Sequence, residues 1–271
     1  MVFSGIASGL WIVGGGIAIA ILATHLLHRC FSDDTLRKSH DVTGNLLAIV
    51  GTLYAVLLGL VVVDAMMRFE QAMDTVQKES NCLADIFLLA KRLPEPHGPK
   101  LCELCRGYAY EVVDKEWPLM AQGRVSMDAR RAALAIARGL EDFEPATESQ
   151  KTVYPLVLEQ VRELWDHRRE RCSTAEFGIP AVEWFVLLIG AAVLVLLVGL
   201  FAVENGWLRV LLPGVVALVL ALNLYLLSLF GYPFAGDLSV SNRPFQVDIG
   251  IFEGRYDATP AHAGESDAAP R

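Results

Sequence analysis

The stretch 42–63, VTGNLLAIVGTLYAVLLGLVVV, contains no Asp, Glu, Lys or Arg. A bilayer core about 30 Å thick is crossed by roughly 20 apolar residues at a helical rise of ~1.5 Å each, so this run is long enough to span it. Residues 1–28, 184–203 and 210–236 are three further charge-free runs. Four such segments predict an all-α, polytopic membrane protein with four transmembrane helices and a helical cytoplasmic region between spans two and three.

The chain is 54% apolar and 20% charged, which alone would suit a soluble protein, but the charges are segregated. Residues 68–180 hold 16 of the 23 basic and 19 of the 31 acidic side chains. The predicted organisation is a first transmembrane hairpin over 1–67, a helical water-facing region continuous with span two over 68–180, a second hairpin over 181–236, and a C-terminal segment over 237–271. Small polar residues and prolines after about residue 253 predict disorder there, since little apolar surface is available to offset ordering entropy. The N-terminal run lacks a basic leader and reads as a retained helix.

Two hairpins place both termini and the middle region on one side of the membrane. Arg68, Lys78, Arg168, Arg169, Arg171 and Arg243 lie on that side near span ends, against Arg29, Arg37, Lys38 and Arg209 across it. This excess orients the middle region toward the cytoplasm. Cys30, Cys82, Cys102, Cys105 and Cys172 are odd in number and scattered, as expected of reduced thiols.

Apolar positions continue past span two at Met66, Phe69, Met73, Val76, Leu83, Phe87 and Ala90. One helix of about 45 residues is the economical reading. The prolines of LPEPHGPK (93–100) end it by removing backbone donors. Further helices are predicted from Lys100 to about Trp117, from an N-cap at Ser126 to near Gly139, and from Glu148 to Cys172, with Pro155 predicting a kink or late start in the last.

Asn45, Ala48, Thr52, Ala55, Gly59, Val62 and Met66 recur at spacings of three and four and share one face of span two. Nearly all are small or mildly polar. Such a face serves close helix packing, or it lines a permeation path when several copies surround an axis. Asp64 lies about 120–140° around the helix from it. Asp64, Glu70 and Asp74 cluster at the expected inner mouth with Arg68 among them, which leans toward cations. Asp64 reads either as an ion-paired interface residue or as part of a ring of charge.

Asn223 in span four is expected to bond between helices, with direct ion contact as the alternative. The basic cluster Arg162, His167, Arg168, Arg169 and Arg171, interleaved with Glu163, Asp166 and Glu170, reads as a solvated face or a contact for anionic lipid headgroups. Cys102 and Cys105 form a C-x-x-C without a second pair or a nearby histidine, so no metal site is predicted. No hydrolase, phosphate-loop or zinc-protease motif occurs, no cofactor is expected, and a net charge of −8 disfavours nucleic acid.

HDVTGNLLAIVGTLYAVLLGLVVV (40–63), QKESNCLADIFLLAKRLPEP (77–96), YEVVDKEWPLMAQG (110–123) and YPFAGDLSVSNRPF (232–245), in this order, resemble the bestrophin-like family. The resemblance implies a four-span protein with cytoplasmic termini, related in fold to the bestrophins, pentameric ion channels whose second membrane helix lines the pore. It therefore implies a multi-pass homo-oligomer of a bacterial inner (plasma) membrane that conducts inorganic ions. The chain departs from bestrophins in offering Ala55, Gly59, Val62 and Met66 where they place bulky apolar rings. Pro233-Phe234-Ala235-Gly236 is followed by Asp237 alone, so no calcium site is assigned. The alternative from another class is a non-conducting membrane scaffold or sensor that recruits a partner through its cytoplasmic helices.

Overall fold

The computed structural model describes residues 6–30, 40–201 and 205–255, and the described part is all-α. The elements are α1 (Ile6–Cys30), α2 (His40–Ala90), α3 (His97–Tyr110), a π-helical turn (Glu111–Glu116), α4 (Trp117–Met120), α5 (Met127–Arg138), α6 (Glu148–Glu176), α7 (Ala181–Gly199), α8 (Gly206–Phe230) and α9 (Arg243–Phe252). They fall into two compact units, Met1–Ala72 with Thr174–Val240, and Met73–Ser173 with Ser241–Arg271.

In the first unit, α1 packs along α8 and α7, and α7 packs on α8. Tyr54, Leu58 and Ala65 of α2 form a buried cluster with Leu187 and Leu194 of α7 and Leu224 and Leu227 of α8. The Tyr54 hydroxyl donates to the Leu187 carbonyl at 3.0 Å, which satisfies a polar group that lipid could not. Gly190 makes room for that ring, because a Cβ there would collide with it. The helices α2, α7 and α8 are long and apolar enough to cross a membrane, while the apolar stretch of α1, Val13–Leu27, is shorter.

In the second unit, α3 packs against α5 and α9. Leu83, Ile86, Leu101, Tyr108, Met120, Ile136, Leu164 and Phe245 are fully buried there. The Ser126 hydroxyl caps α5 by accepting from the Ala129 amide at 3.2 Å, as the sequence predicts.

Three differences from expectation have local causes. Helix α3 starts at His97, three residues before Lys100, and its continuation is interrupted by the π-helical turn. That turn precedes Pro118, whose ring would clash with the carbonyl four residues back in a regular helix, and the widened turn accommodates it. Helix α6 runs through Pro155 from Glu148 to Glu176, past the expected end at Cys172. Helix α9 is additional to the helices the sequence predicts, and Pro244 in its first turn and the buried Phe245, Ile249 and Phe252 at helical spacing mark it. The expected disordered tail lies almost entirely beyond Arg255, outside the described residues.

Candidate functional site

Around α2, the side that packs on α7 and α8 carries Tyr54, Leu58 and Ala65. At 100° per residue, the face Asn45, Ala48, Thr52, Ala55, Gly59, Val62, Met66 is centred about 120° from that side. Six of its seven residues are exposed and Val62 is half-buried. Among the described residues, an added Cβ at Gly59 would meet nothing within 4 Å. Thr52 donates its hydroxyl to the Ala48 carbonyl one turn back at 2.8 Å. A third sector carries the large apolar residues Ile49, Leu53, Val56, Leu60 and Met67, all strongly exposed. The exposed surface of α2 is thus divided into a small-residue side and a greasy side.

The acidic residues differ in their partners and in the side of α2 they occupy. Arg68 donates its Nε to Asp64 Oδ2 at 2.7 Å, and Lys78 approaches Asp74 Oδ2 to 2.6 Å, each pair one turn apart and exposed. Glu70 is exposed and follows Thr52 by eighteen residues, five full turns, which returns it to the small-residue side. The three carboxylates therefore share a stretch of α2 and not one face.

Asn223 donates to the Val219 carbonyl of its own helix at 2.9 Å, so the expected bond between helices is not made by this amide. The polar group is satisfied within the helix instead.

The largest departure from the sequence reading lies in the second unit. Of the basic cluster, Arg162 and Arg169 are exposed as expected, but Arg168 and Arg171 are buried. Arg171 grips Glu79 in a fork, Nε to Oε2 at 2.5 Å and Nη2 to Oε1 at 2.9 Å, and Nη2 also reaches Glu116 Oε2 at 2.8 Å. Arg168 Nη2 donates to Glu116 Oε1 at 2.5 Å, which also accepts from the Ser126 amide at 3.2 Å. The Tyr108 hydroxyl donates to Glu79. The Trp117 and Phe245 rings lie 5.5 and 5.8 Å from the Arg171 guanidinium, within cation–π range.

Two carboxylates and two guanidiniums balance in this network, and both carboxylates are wholly buried. Burial disfavours the Arg171 charge, but the Glu79 carboxylate reverses that and holds its pKa well above the ordinary arginine value. Burial, reinforced by Glu79, pushes the Tyr108 hydroxyl well above its usual range, so it remains a donor. The network ties α2, α3, the π-helical turn and α6 together. Its pattern is visible in retrospect: Glu79 continues the buried stripe Ala72, Val76, Leu83, Ile86 of α2, and Arg168 and Arg171 continue Val157, Val161 and Leu164 of α6.

A third buried carboxyl, Asp248 of α9, accepts from Ser80 Oγ at 2.5 Å. Burial pushes its pKa up to about 6, the Ser80 hydrogen bond opposes the rise, and Asp85 adds to it. Burial also pushes the Cys82 and Cys172 thiols up to about 11, and Cys102 and Cys105 upward as well. Such thiols are poor nucleophiles and poor metal ligands. Among the described residues, no three His, Cys, Asp or Glu side chains are grouped to hold a metal.

The sequence matches the description "Bestrophin-like domain" over residues 14–245. Comparison with curated proteins gives no match. Among solved structures, a variant of a bacterial bestrophin homologue from Klebsiella pneumoniae superposes with a TM-score of 0.67 at 12% identity, covering 91% of this chain and 99% of that one. The structure of that homologue phased on zinc gives 0.67 at 12% identity, with coverage of 90% and 98%. A variant described as a membrane protein gives 0.61 at 15% identity, with coverage of 88% and 94%. These likenesses establish the fold, and the match over most of the sequence establishes the family. The chain belongs to the bestrophin-like family.

Proposed function

We propose that this protein is an oligomeric membrane ion channel in which each copy turns the Asn45–Met66 side of α2 toward a common axis. The observation that carries the reading is the placement of that side: it is exposed, while α7 and α8 occupy another part of the helix. Rotational symmetry would bring identical faces together around a closed path. Small residues leave such a path open, and the greasy sector from Ile49 to Met67 suits lipid or a neighbouring subunit.

The full arrangement has four crossings, α1 included, in a bacterial inner membrane, with the termini and the 68–180 region cytoplasmic. Five copies form the assembly, as the family resemblance implies, and inorganic ions are the cargo. Glu70 carries the charge at the inner mouth more than Asp64 or Asp74, because those two have a basic partner one turn on. Selectivity leans toward cations.

Purified protein in liposomes with a salt gradient tests the reading. Wild type is expected to conduct, and Gly59→Leu, at a position where an added Cβ meets none of the described residues within 4 Å, is expected to reduce flux at least tenfold without dissociating the assembly. Glu70→Gln should move the reversal potential toward anions further than Asp64→Asn does. A well-folded oligomer that carries no flux would instead support a scaffold or sensor.

A further inference from the structure

Among the described residues, no cation meets one of the carboxyls buried in the second unit, that of Asp248. We propose that Asp248 makes the hold of the C-terminal helix α9 on α2 and α3 proton-dependent: the helix is latched while this carboxyl is protonated and loosened once it ionises.

Several contacts hold α9 in place. Phe245, Asp248, Ile249 and Phe252 recur at spacings of three, one and three and are buried, so they form its packed face. Phe252 stacks on Phe87 of α2 with ring centroids 4.2 Å apart, and its carbonyl accepts from Arg106 Nη2 of α3 at 3.0 Å. Phe245 meets the rings of Tyr108 and Trp117 edge-on at 6.4 and 6.1 Å. Rings, a carbonyl and a guanidinium keep one charge state between pH 5 and 7.5.

Asp248 is the exception on that face. It is 5% exposed, and its partner Ser80 on α2 is 2% exposed. The hydroxyl of Ser80 donates to a carboxylate and accepts from a carboxylic acid, so it serves both protonation states, and the charge is what distinguishes them. From α2, Asp85 acts on Asp248 as a like charge, while Glu79 is taken up by Arg171. From α3, the Cys105 thiol interacts with it and is held neutral by burial, Tyr108 donates to Glu79, and Arg106 is committed to the Phe252 carbonyl one turn on. Glu116 of the π-helical turn is paired with Arg168 and Arg171, and Arg243 of α9 itself is exposed, five residues away. An ionised Asp248 therefore has neither water nor a countercharge, which a buried carboxylate requires. Burial accordingly pushes its pKa up to about 6 from the ordinary 3.8. Water reaches the carboxyl once α9 lifts away, so ionisation favours the undocked helix. With those two pKa values the undocking equilibrium becomes about tenfold more favourable between pH 5 and 7.5.

Hydrogen exchange of the full-length protein in detergent, read peptide by peptide and corrected for the intrinsic pH dependence of exchange, tests the latch. The amides of α9 should be protected about tenfold less at pH 7.5 than at pH 5, while those of α5 and α6 keep their protection. Asp248→Asn preserves the shape and removes the charge, so α9 should stay protected at both pH values. Ser80→Ala removes the hydrogen bond that opposes the rise in pKa, and should move the midpoint of the change to higher pH. Glu253→Gln, at the end of the same helix, should leave the wild-type pH dependence intact. Equal protection of α9 at the two pH values in wild type, a pH dependence that survives Asp248→Asn, an unmoved midpoint in Ser80→Ala, or a loss shared equally by α5 and α6 would overturn the proposal. The readout is amide exchange, so it stands or falls separately from ion flux.

Discussion

The two halves of α2 obey opposite rules. In the N-terminal half, Leu53 and Leu60 are 68% and 66% exposed, whereas in the C-terminal half Leu83 and Ile86 are wholly buried and so is a glutamate, Glu79. One continuous helix of 51 residues thus meets two environments. Where the surroundings are lipid, leucine gains little from being buried against another helix, and association rests on small residues and close packing. Where the surroundings are water, apolar burial drives packing, and a buried charge persists only when it is paired and hydrogen-bonded. Exposure of leucine in the first half is therefore no defect, and burial of Glu79 in the second is tolerable only because Arg171 and Tyr108 meet it.

The contrast can be broken most forcefully at Arg171. Arg171→Leu leaves the buried Glu79 with no cation and Glu116 with Arg168 alone, and removal of one partner from a buried pair costs about 3–5 kcal/mol, to be read as a large fall in the Tm of the detergent-solubilised protein. Replacement by Lys should recover only part of the loss, since an ammonium cannot reproduce the fork to Glu79.

Leucine truncations sharpen the same comparison. Leu83→Ala is expected to destabilise by about 3 kcal/mol through lost burial and the cavity left behind. Leu53→Ala, on the same helix but facing outward, should cost under about 1 kcal/mol in the same assay. Equal losses at the two positions would show that Leu53 is buried in the assembly.

Asp248 tests the polar side of the rule through pH. Its folded pKa of about 6 lies above the ordinary aspartate value of 3.8, so the fold prefers the protonated form. The stability it contributes is fully present below about pH 4 and is lost as pH rises through about 6. At about 1.36 kcal/mol per pKa unit, the difference is at most about 3 kcal/mol. Asp248→Asn should therefore be more stable than wild type at pH 7.5, with the advantage shrinking toward pH 4, as followed by thermal melts across that range.

The smallest effect is expected at the exposed pair of Arg68 and Asp64. Arg68→Gln should change stability by less than about 1 kcal/mol, because solvent screens the attraction. Its measurable consequence should appear in ion selectivity, where it uncovers the Asp64 charge.

Much of the architecture was legible because it follows from chemistry along the chain. A run such as 42–63 has no hydrated alternative, and LPEPHGPK lacks the donors to continue a helix. The cap at Ser126 and the small-residue spacing of span two were readable for the same reason. The network of Glu79, Glu116, Arg168 and Arg171 was not. Its members are up to 92 residues apart, and the alternation of charges around Arg168 is also what a solvated helix face displays.

By itself, then, the sequence determined which segments cannot remain in water, where backbone donors run out, and which residues share a helix face. These are properties of single residues and of helical period. Only the tertiary structure decided that Arg171 points inward while Arg169 points outward, that Tyr54 fills the space Gly190 leaves, and that Asp248 is buried against Ser80. The physical reason is that burial and pairing belong to several elements at once, so a residue's environment is set by what packs against its helix and not by the helix that carries it.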